Sequence, residues 1–231
     1  MKDNRVCGVI LAAGSGSRMN ISEKKQWLQI KGKSVLYRSL EAFELCDDIT
    51  DIILVVRDED MAFAISETTD KFSKLRKIVV GGSTRFESAL HGFRAIDFAC
   101  NFVAIHDAAR CLVLPDMITK VVKDAVIYGA ASASSPVVDT VKRVDENGFS
   151  IRTENREQLR LATTPQIFKY VLYDKAVNVA LDKKTDVTDD NMLMENIGIR
   201  VYMSDTGKTN IKITYAEDIA FAEYLLERND G

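Results

Sequence analysis

The segment Val6–Leu11 (VCGVIL) is an unbroken run of apolar and small residues that ends in a loop built from alanine, glycine and serine. A run of this length without polar alternation predicts a strand covered on both faces, as in a parallel sheet. Ser34 then opens a helix whose Leu36, Leu40 and Phe43 recur at helical spacing. The same order repeats along the chain. Residues 52–56 (IILVV) form a second apolar run, and the Gly81-Gly82 turn leads into a helix with Phe86, Leu90 and Phe93 on one face. Residues 102–105 form a third run, directly before His106-Asp107. Ile118, Val121, Val122 and Ala125 mark another amphipathic helix, followed by the small, apolar stretch 130–138. Such alternation predicts an α/β fold with a mainly parallel twisted sheet and helices on both faces. With 231 residues, 46% of them hydrophobic, one domain spanning the chain is expected.

The rhythm breaks at residues 139–156. Val141, Arg143 and Val144 lead to Asn147-Gly148, which favours a type I′ hairpin, and then to Phe149 and Ile151. So polar a hairpin has little to bury against its own core, and an isolated one is only marginally stable in water. It is therefore predicted to project as an arm and pack on a second subunit. Beyond it, residues 168–181 read as a helix, and Thr188 as the cap of a short helix with Asp189 and Asp190 in its first turn. Residues 199–203 and 211–214 read as strands. A last helix over about 215–228 turns Ile219, Ala222 and Leu226 inward.

A formal charge of -3 supplies no basic field and argues against a nucleic-acid partner. Four cysteines in no zinc or redox spacing fit a reducing cytoplasm. No apolar run approaches the ~20 residues that span a bilayer. The N-terminus does not read as a signal peptide.

Residues 11–19 (LAAGSGSRM) follow a strand, and their small side chains let backbone N–H groups approach a polyphosphate. The loop lacks the lysine of a P-loop and the third glycine of a dinucleotide fingerprint. It ends instead in Arg18, and Lys25-Gln26-Trp27 follows seven residues later. Two cations closing on one such loop suit a ligand with several phosphate charges. The two histidines lack an evident nucleophile partner, so His91 and His106 are expected to be structural. The carboxylates Asp186, Asp189, Asp190 and Glu195 are expected to favour a helix N-terminus rather than a metal.

The glycine loop with Arg18 and Lys25 resembles the nucleotidyltransferases that activate sugars and alcohol phosphates. Further segments are GGSTRFES (81–88), HDAAR (106–110), PVVDTVKR (136–143), TPQIF (164–168), TDDNMLME (188–195) and NIKIT (210–214). Their order and spacing across almost the whole chain resemble the 2-C-methyl-D-erythritol 4-phosphate cytidylyltransferase family of the non-mevalonate isoprenoid pathway. The resemblance implies a Rossmann-like nucleotidyltransferase fold and transfer of CMP from CTP to a polyol phosphate. It places Ala12, Ala13, Gly14, Ser15 and Gly16 at the triphosphate, with Arg18, Lys25 and Lys212 as the catalytic cations. Gly82 and Ser88 would meet the cytosine, with Gly81 and Arg85 shaping the turn. Asp107 would meet the ribose region and the polyol hydroxyls, and Arg110 the polyol phosphate. Thr140, Arg156 and Thr164 would complete the polyol phosphate site, Thr140 and Arg156 being delivered by the arm across a homodimer. Mg²⁺ is expected as the divalent cation, held mainly by the CTP phosphates rather than by side chains.

Three positions depart from the family pattern: Lys24 and Cys111 stand where proline is usual, and Ser83 where an acid is frequent. A ribitol 5-phosphate cytidylyltransferase on the same fold is the alternative enzyme. A non-catalytic nucleotide sensor on that scaffold is the alternative of another class.

Overall fold

The computed structural model describes residues 4–14, 25–185 and 187–229. Ser15, Gly16, Arg18, Lys24 and Asp186, named above, lie outside the described residues.

Strand β1 (Val6–Leu11) is followed by the short pair β2 (Gln29–Ile30) and β3 (Lys33–Ser34) and by helix α1 (Val35–Leu45). Ser34 caps α1 by accepting a hydrogen bond from the Tyr37 N–H, as its position ahead of the apolar spacing predicts. Strand β4 (Asp51–Val56), helix α2 (Met61–Thr68), strand β5 (Leu75–Val80) and helix α3 (Arg85–Arg94) come next. Strand β6 (Phe102–Asp107) then runs through the His-Asp pair. Helix α4 (Pro115–Tyr128) leads into β7 (Ala130–Pro136), and β8 (Lys142–Val144) and β9 (Ser150–Thr153) form the hairpin. The chain closes with β10 (Arg160–Lys169), α5 (Tyr170–Lys183), α6 (Asp190–Asn196), β11 (Tyr202–Asp205) and α7 (Glu217–Asn229).

The main sheet has the order β11-β7-β10-β6-β1-β4-β5. All its pairings are parallel except those of β10, which runs antiparallel to both β6 and β7. At its centre every residue of β4, β1 and β6 is buried, which is why these strands read as unbroken apolar runs. Successive side chains point to opposite faces. Val6 and Ile10 pack with Leu36, Leu40 and Phe43 of α1 and Ile118, Val121 and Val122 of α4. Cys7, Val9 and Leu11 pack on the other side with Leu90 and Phe93 of α3 and Tyr173 and Val177 of α5. A smaller cluster gathers Leu28, Ile30, Cys111 and Ile213 with Ala222 of α7.

Several sequence expectations are corrected. Residues 160–169 form a ten-residue strand, so Phe168 belongs to β10 and not to a helix. This strand hides from pattern reading because its exposed and buried parts divide along its length rather than alternating. The strand expected over 199–203 is displaced to Tyr202–Asp205, and residues 211–214 form no strand. Asp189, not Thr188, caps α6 through the Met192 N–H; the Thr188 hydroxyl lies 2.9 Å from the Met192 sulfur. The hairpin turn is not type I′, which needs two residues at positive φ. Only Gly148 has it there (φ 86), and the bonds from Gly148 N–H to Asp145 O and from Asp145 N–H to Phe149 O make a type I turn with a glycine bulge. The Asp145 carboxylate accepts the Asn147 and Phe149 N–H groups, which favours this alternative.

Strands β8 and β9 pair only with each other, and none of their residues is buried. Val144, Phe149 and Ile151 are exposed, with Val138 and Leu161 on the flanking segments.

Phe43 is fully buried and fills the space that a side chain at Gly8 would need, a Cβ there falling 2.6 Å from the ring. Phe43→Ala is expected to destabilise the protein by about 3–5 kcal/mol. A urea unfolding midpoint equal to that of the parent would show that this ring is not part of the core.

Candidate functional site

The three central strands end at one edge, where backbone hydrogen bonds lace their loops together: Ala12 N–H to Val55 O, Gly81 N–H to Val56 O and Ala108 N–H to Leu11 O. Open α/β sheets bind ligands at this edge. A cleft of about 510 Å³ lies there. Ala12, Ala13 and Gly14 line it after β1, Gly82 and Ser88 around the start of α3, and Asp107 at the end of β6. Lys25 and Lys212 reach it from separate segments. Eight of the expected site residues are thus brought together from five places in the chain.

Gly81 allows the two loops to touch. A Cβ there would lie 2.6 Å from the Ala13 Cβ and 2.8 Å from the Ser88 hydroxyl. Thr84 caps α3, its hydroxyl accepting the Glu87 N–H while the Glu87 carboxylate accepts the Thr84 N–H. The same carboxylate also accepts the N–H and hydroxyl of Ser83, which therefore serves the turn. The spacing Thr84-x-x-Glu87 is the sequence signal for this box. The Ser88 hydroxyl accepts the Gly82 N–H and donates its one proton to Thr84 O.

Asp107 is the electrostatic centre. Lys212 Nζ lies 2.6 Å from its Oδ2, and Arg85 Nε lies 3.0 Å from its Oδ1. Burial alone would raise the Asp107 pKa, but the Arg85 and Lys212 charges outweigh it and hold the carboxyl well below its ordinary range. Arg85 reaches further, with a 2.6 Å contact to the buried carboxylate of Asp190. Desolvation works against its charge, yet the two carboxylates raise its pKa overall. Asp190 is therefore a buried counter-ion rather than a dipole-stabilising residue at the start of α6.

Behind the cleft, the Thr164 hydroxyl accepts the Asp107 N–H and lies 3.0 Å from His106 Nδ1. The Asn210 side-chain amide donates to Thr164 O, and the Asn210 backbone carbonyl accepts from Arg110 NH1. Thr164 and Arg110 thus sit beneath the cleft instead of lining it. Burial lowers the Arg110 pKa. Thr140 and Arg156 are exposed and outside the cleft, and Arg156 donates to Val138 O. Arg57 lines the cleft but carried no sequence signal, because a basic residue after a strand is common. Gln26 is buried and donates to Asp60 at 2.9 Å, while Trp27 packs edge-on against Phe63, so the Lys25 segment is docked on the start of α2. Cys111 is buried in the small cluster under α7, and burial pushes its thiol up to about 11.

The family described as IspD, 2-C-methyl-D-erythritol 4-phosphate cytidylyltransferase, matches residues 6–228. The chain belongs to this family. A 2-C-methyl-D-erythritol 4-phosphate cytidylyltransferase of Clostridium botulinum (strain Loch Maree / Type A3) is 42% identical over 222 residues, which cover 95% of this chain and 96% of that protein. One from Caldanaerobacter subterraneus subsp. tengcongensis is 40% identical, with 96% and 99% covered. The crystal structure of 4-diphosphocytidyl-2C-methyl-D-erythritol synthase from Anaerococcus prevotii superposes with a TM-score of 0.87 at 30% identity. It covers 97% of this chain and 96% of its own. The family's nucleotidyltransferase fold accounts for the parallel sheet and for the position of the cleft.

His106 is fully buried, its ring 5.0 Å from that of Phe43. Burial pushes its pKa down to about 3, so it stays neutral in the folded protein. In the unfolded chain an ordinary histidine takes up a proton below about pH 6.5, and stability must then fall as the medium is acidified. From pH 8 to pH 5 this residue is expected to remove about 2 kcal/mol of unfolding free energy. Denaturant titrations of the parent and of His106→Gln across this range should show a flatter slope in the variant; equal slopes would place the proton uptake elsewhere.

Proposed function

We propose that the protein transfers CMP from CTP to 2-C-methyl-D-erythritol 4-phosphate, releasing pyrophosphate. The observation that carries this reading is the cleft in which a small-residue loop, Lys25, Lys212, Asp107 and the Gly82–Ser88 turn converge, in a chain whose family match runs almost end to end. The named relatives support the choice of polyol.

Ala12, Ala13 and Gly14, continuing to Ser15 and Gly16, cradle the triphosphate in this reading, and Arg18, Lys25 and Lys212 neutralise it. Because the Ser88 proton is committed to Thr84 O, its hydroxyl offers the cleft only an acceptor. That suits the exocyclic amine of cytosine and not the carbonyl of uracil. Asp107, kept ionised, accepts hydrogen bonds from substrate hydroxyls. Thr140 and Arg156, coming from the second subunit of a homodimer, form the polyol phosphate side in this reading, and Arg110 and Thr164 support it from beneath the cleft through Asn210 and the Asp107 N–H. The exposed apolar side chains of the arm support that dimer.

A phosphate monoester has a second pKa near ~6 and is largely a dianion at neutral pH, so it needs no base to attack the CTP α-phosphorus directly. The chain's task is to align the two substrates and cancel the charge of two approaching phosphates and of the departing pyrophosphate. Mg²⁺, when bound, adds to that cancellation. Asp107 is the one carboxylate among the described lining residues, and cations hold both its oxygens. This donor set fits an ion carried chiefly on the nucleotide's phosphates. Buried thiols at Cys7, Cys46 and Cys111 support a reducing cytoplasm as the working compartment. Among the described residues no helix is long and apolar enough to cross a membrane.

Pyrophosphate release should appear with CTP, Mg²⁺ and methylerythritol phosphate, and should be far slower with ribitol 5-phosphate. CTP binding without turnover on either would leave a sensor. Lys212→Ala is expected to lower kcat/KM by about a hundredfold or more. Mixing Arg156→Ala chains with Lys25→Ala chains should restore part of the activity, since one site in the mixed dimer is intact. No recovery after confirmed subunit exchange would show that the sites are not shared.

A further inference from the structure

Asp190 opens α6 with its carboxylate 1% exposed, so it cannot touch a substrate in the cleft. An unpaired carboxylate is not tolerated at such burial. Its Oδ1 accepts the Tyr173 hydroxyl at 2.6 Å, and its Oδ2 accepts Arg85 NH1 at 2.6 Å. Its backbone N–H donates to the side chain of Gln166 on β10. Tyr173 is itself wedged between Phe168 and Phe93, so this end of the network is rigid.

Arg85 is the link to the cleft. One corner of its guanidinium is held inward by Asp190, and its Nε is aimed at Asp107, whose second oxygen meets Lys212. Four alternating charges therefore run from the core to the cleft: Asp190, Arg85, Asp107, Lys212. Without the inner carboxylate, Arg85 would keep a full positive charge on a flexible stem at the cleft wall, free to turn toward a triphosphate or to clamp both Asp107 oxygens. With it, the guanidinium is committed in a fixed direction.

We propose that Asp190, supported by Tyr173, is a positioning residue that aims Arg85 at Asp107 and thereby keeps the Asp107 carboxylate oriented as an acceptor for substrate hydroxyls. This rests on the reading of Asp107 as a hydroxyl-binding group in the proposed transfer. Such contacts are made equally in the ground and transition states, so their loss is read in KM rather than in kcat.

The test is steady-state kinetics on Asp190→Asn and Tyr173→Phe at saturating CTP, joined to an NMR measurement of solvent exchange at the Arg85 Nε–H without substrates. Asp190→Asn is expected to raise KM for the polyol phosphate about tenfold while kcat changes less than about threefold. Tyr173→Phe keeps the ring and should raise KM in the same direction by about two- to threefold, which serves if Asp190→Asn does not fold. Exchange at Arg85 should quicken in both variants. An unchanged KM, or a fall in kcat alone as from a smaller folded fraction, overturns the proposal. Unchanged exchange at Arg85 overturns it too, even if the parent protein turned over none of these substrates, a result that would count against the assigned reaction by itself.

Discussion

Strands β4, β1 and β6 lie side by side, parallel and wholly buried, and this arrangement constrains everything around it. Parallel strands need crossovers, and strands buried on both faces need cover on both, so α1 and α4 take one side and α3 and α5 the other. All three strands also deliver their carboxyl ends to the same edge. The loops that follow are then forced together, and three interstrand backbone hydrogen bonds hold them there. The cleft is a consequence of the sheet's direction rather than a feature added to it.

Charge at that edge is arranged with equal economy. Asp107 ends a buried strand, where an isolated carboxylate would be costly, and is held by Arg85 and Lys212 from distant parts of the chain. Asn210 stands two residues before Lys212 and joins Thr164 to the Arg110 loop, so the cationic segment is fixed by the same contacts that seat Asp107. A site that works by alignment and charge cancellation needs this rigidity more than it needs an acid or a base. The neutral, buried His106 is part of the support.

Sequence pattern and structure agree where periodicity and burial coincide. Val6–Leu11 and the faces of α1, α3 and α4 were legible because each side chain's environment follows from its position in one element. Pattern and structure part where a side chain's environment comes from elsewhere in the chain. Residues 160–169 carry Thr163, Thr164 and Gln166, which look like loop chemistry until β6, β7 and α6 provide their partners. Helix α2 turns only Ala64 and Thr68 fully inward, and the edge strand β5 has no fully buried residue, so neither shows a clear pattern. At the Asn147-Gly148 turn a local competitor, the Asp145 carboxylate, decided the geometry.

By itself the sequence determined the α/β class, the central strands and the family, because these rest on local spacing and on motifs that keep their order along the chain. It also named eight residues that meet in the cleft. Only the tertiary structure decided which charges face one another. Asp190 looks like a helix-start carboxylate in sequence and becomes the buried partner of Arg85, more than a hundred residues away, because α6 docks beside α3 and β10. Thr164 and Arg110, expected in the polyol phosphate site, lie beneath the cleft because Asp107 and Asn210 take up their polar groups. Electrostatic partnership depends on distance and burial, and neither is encoded in sequence separation.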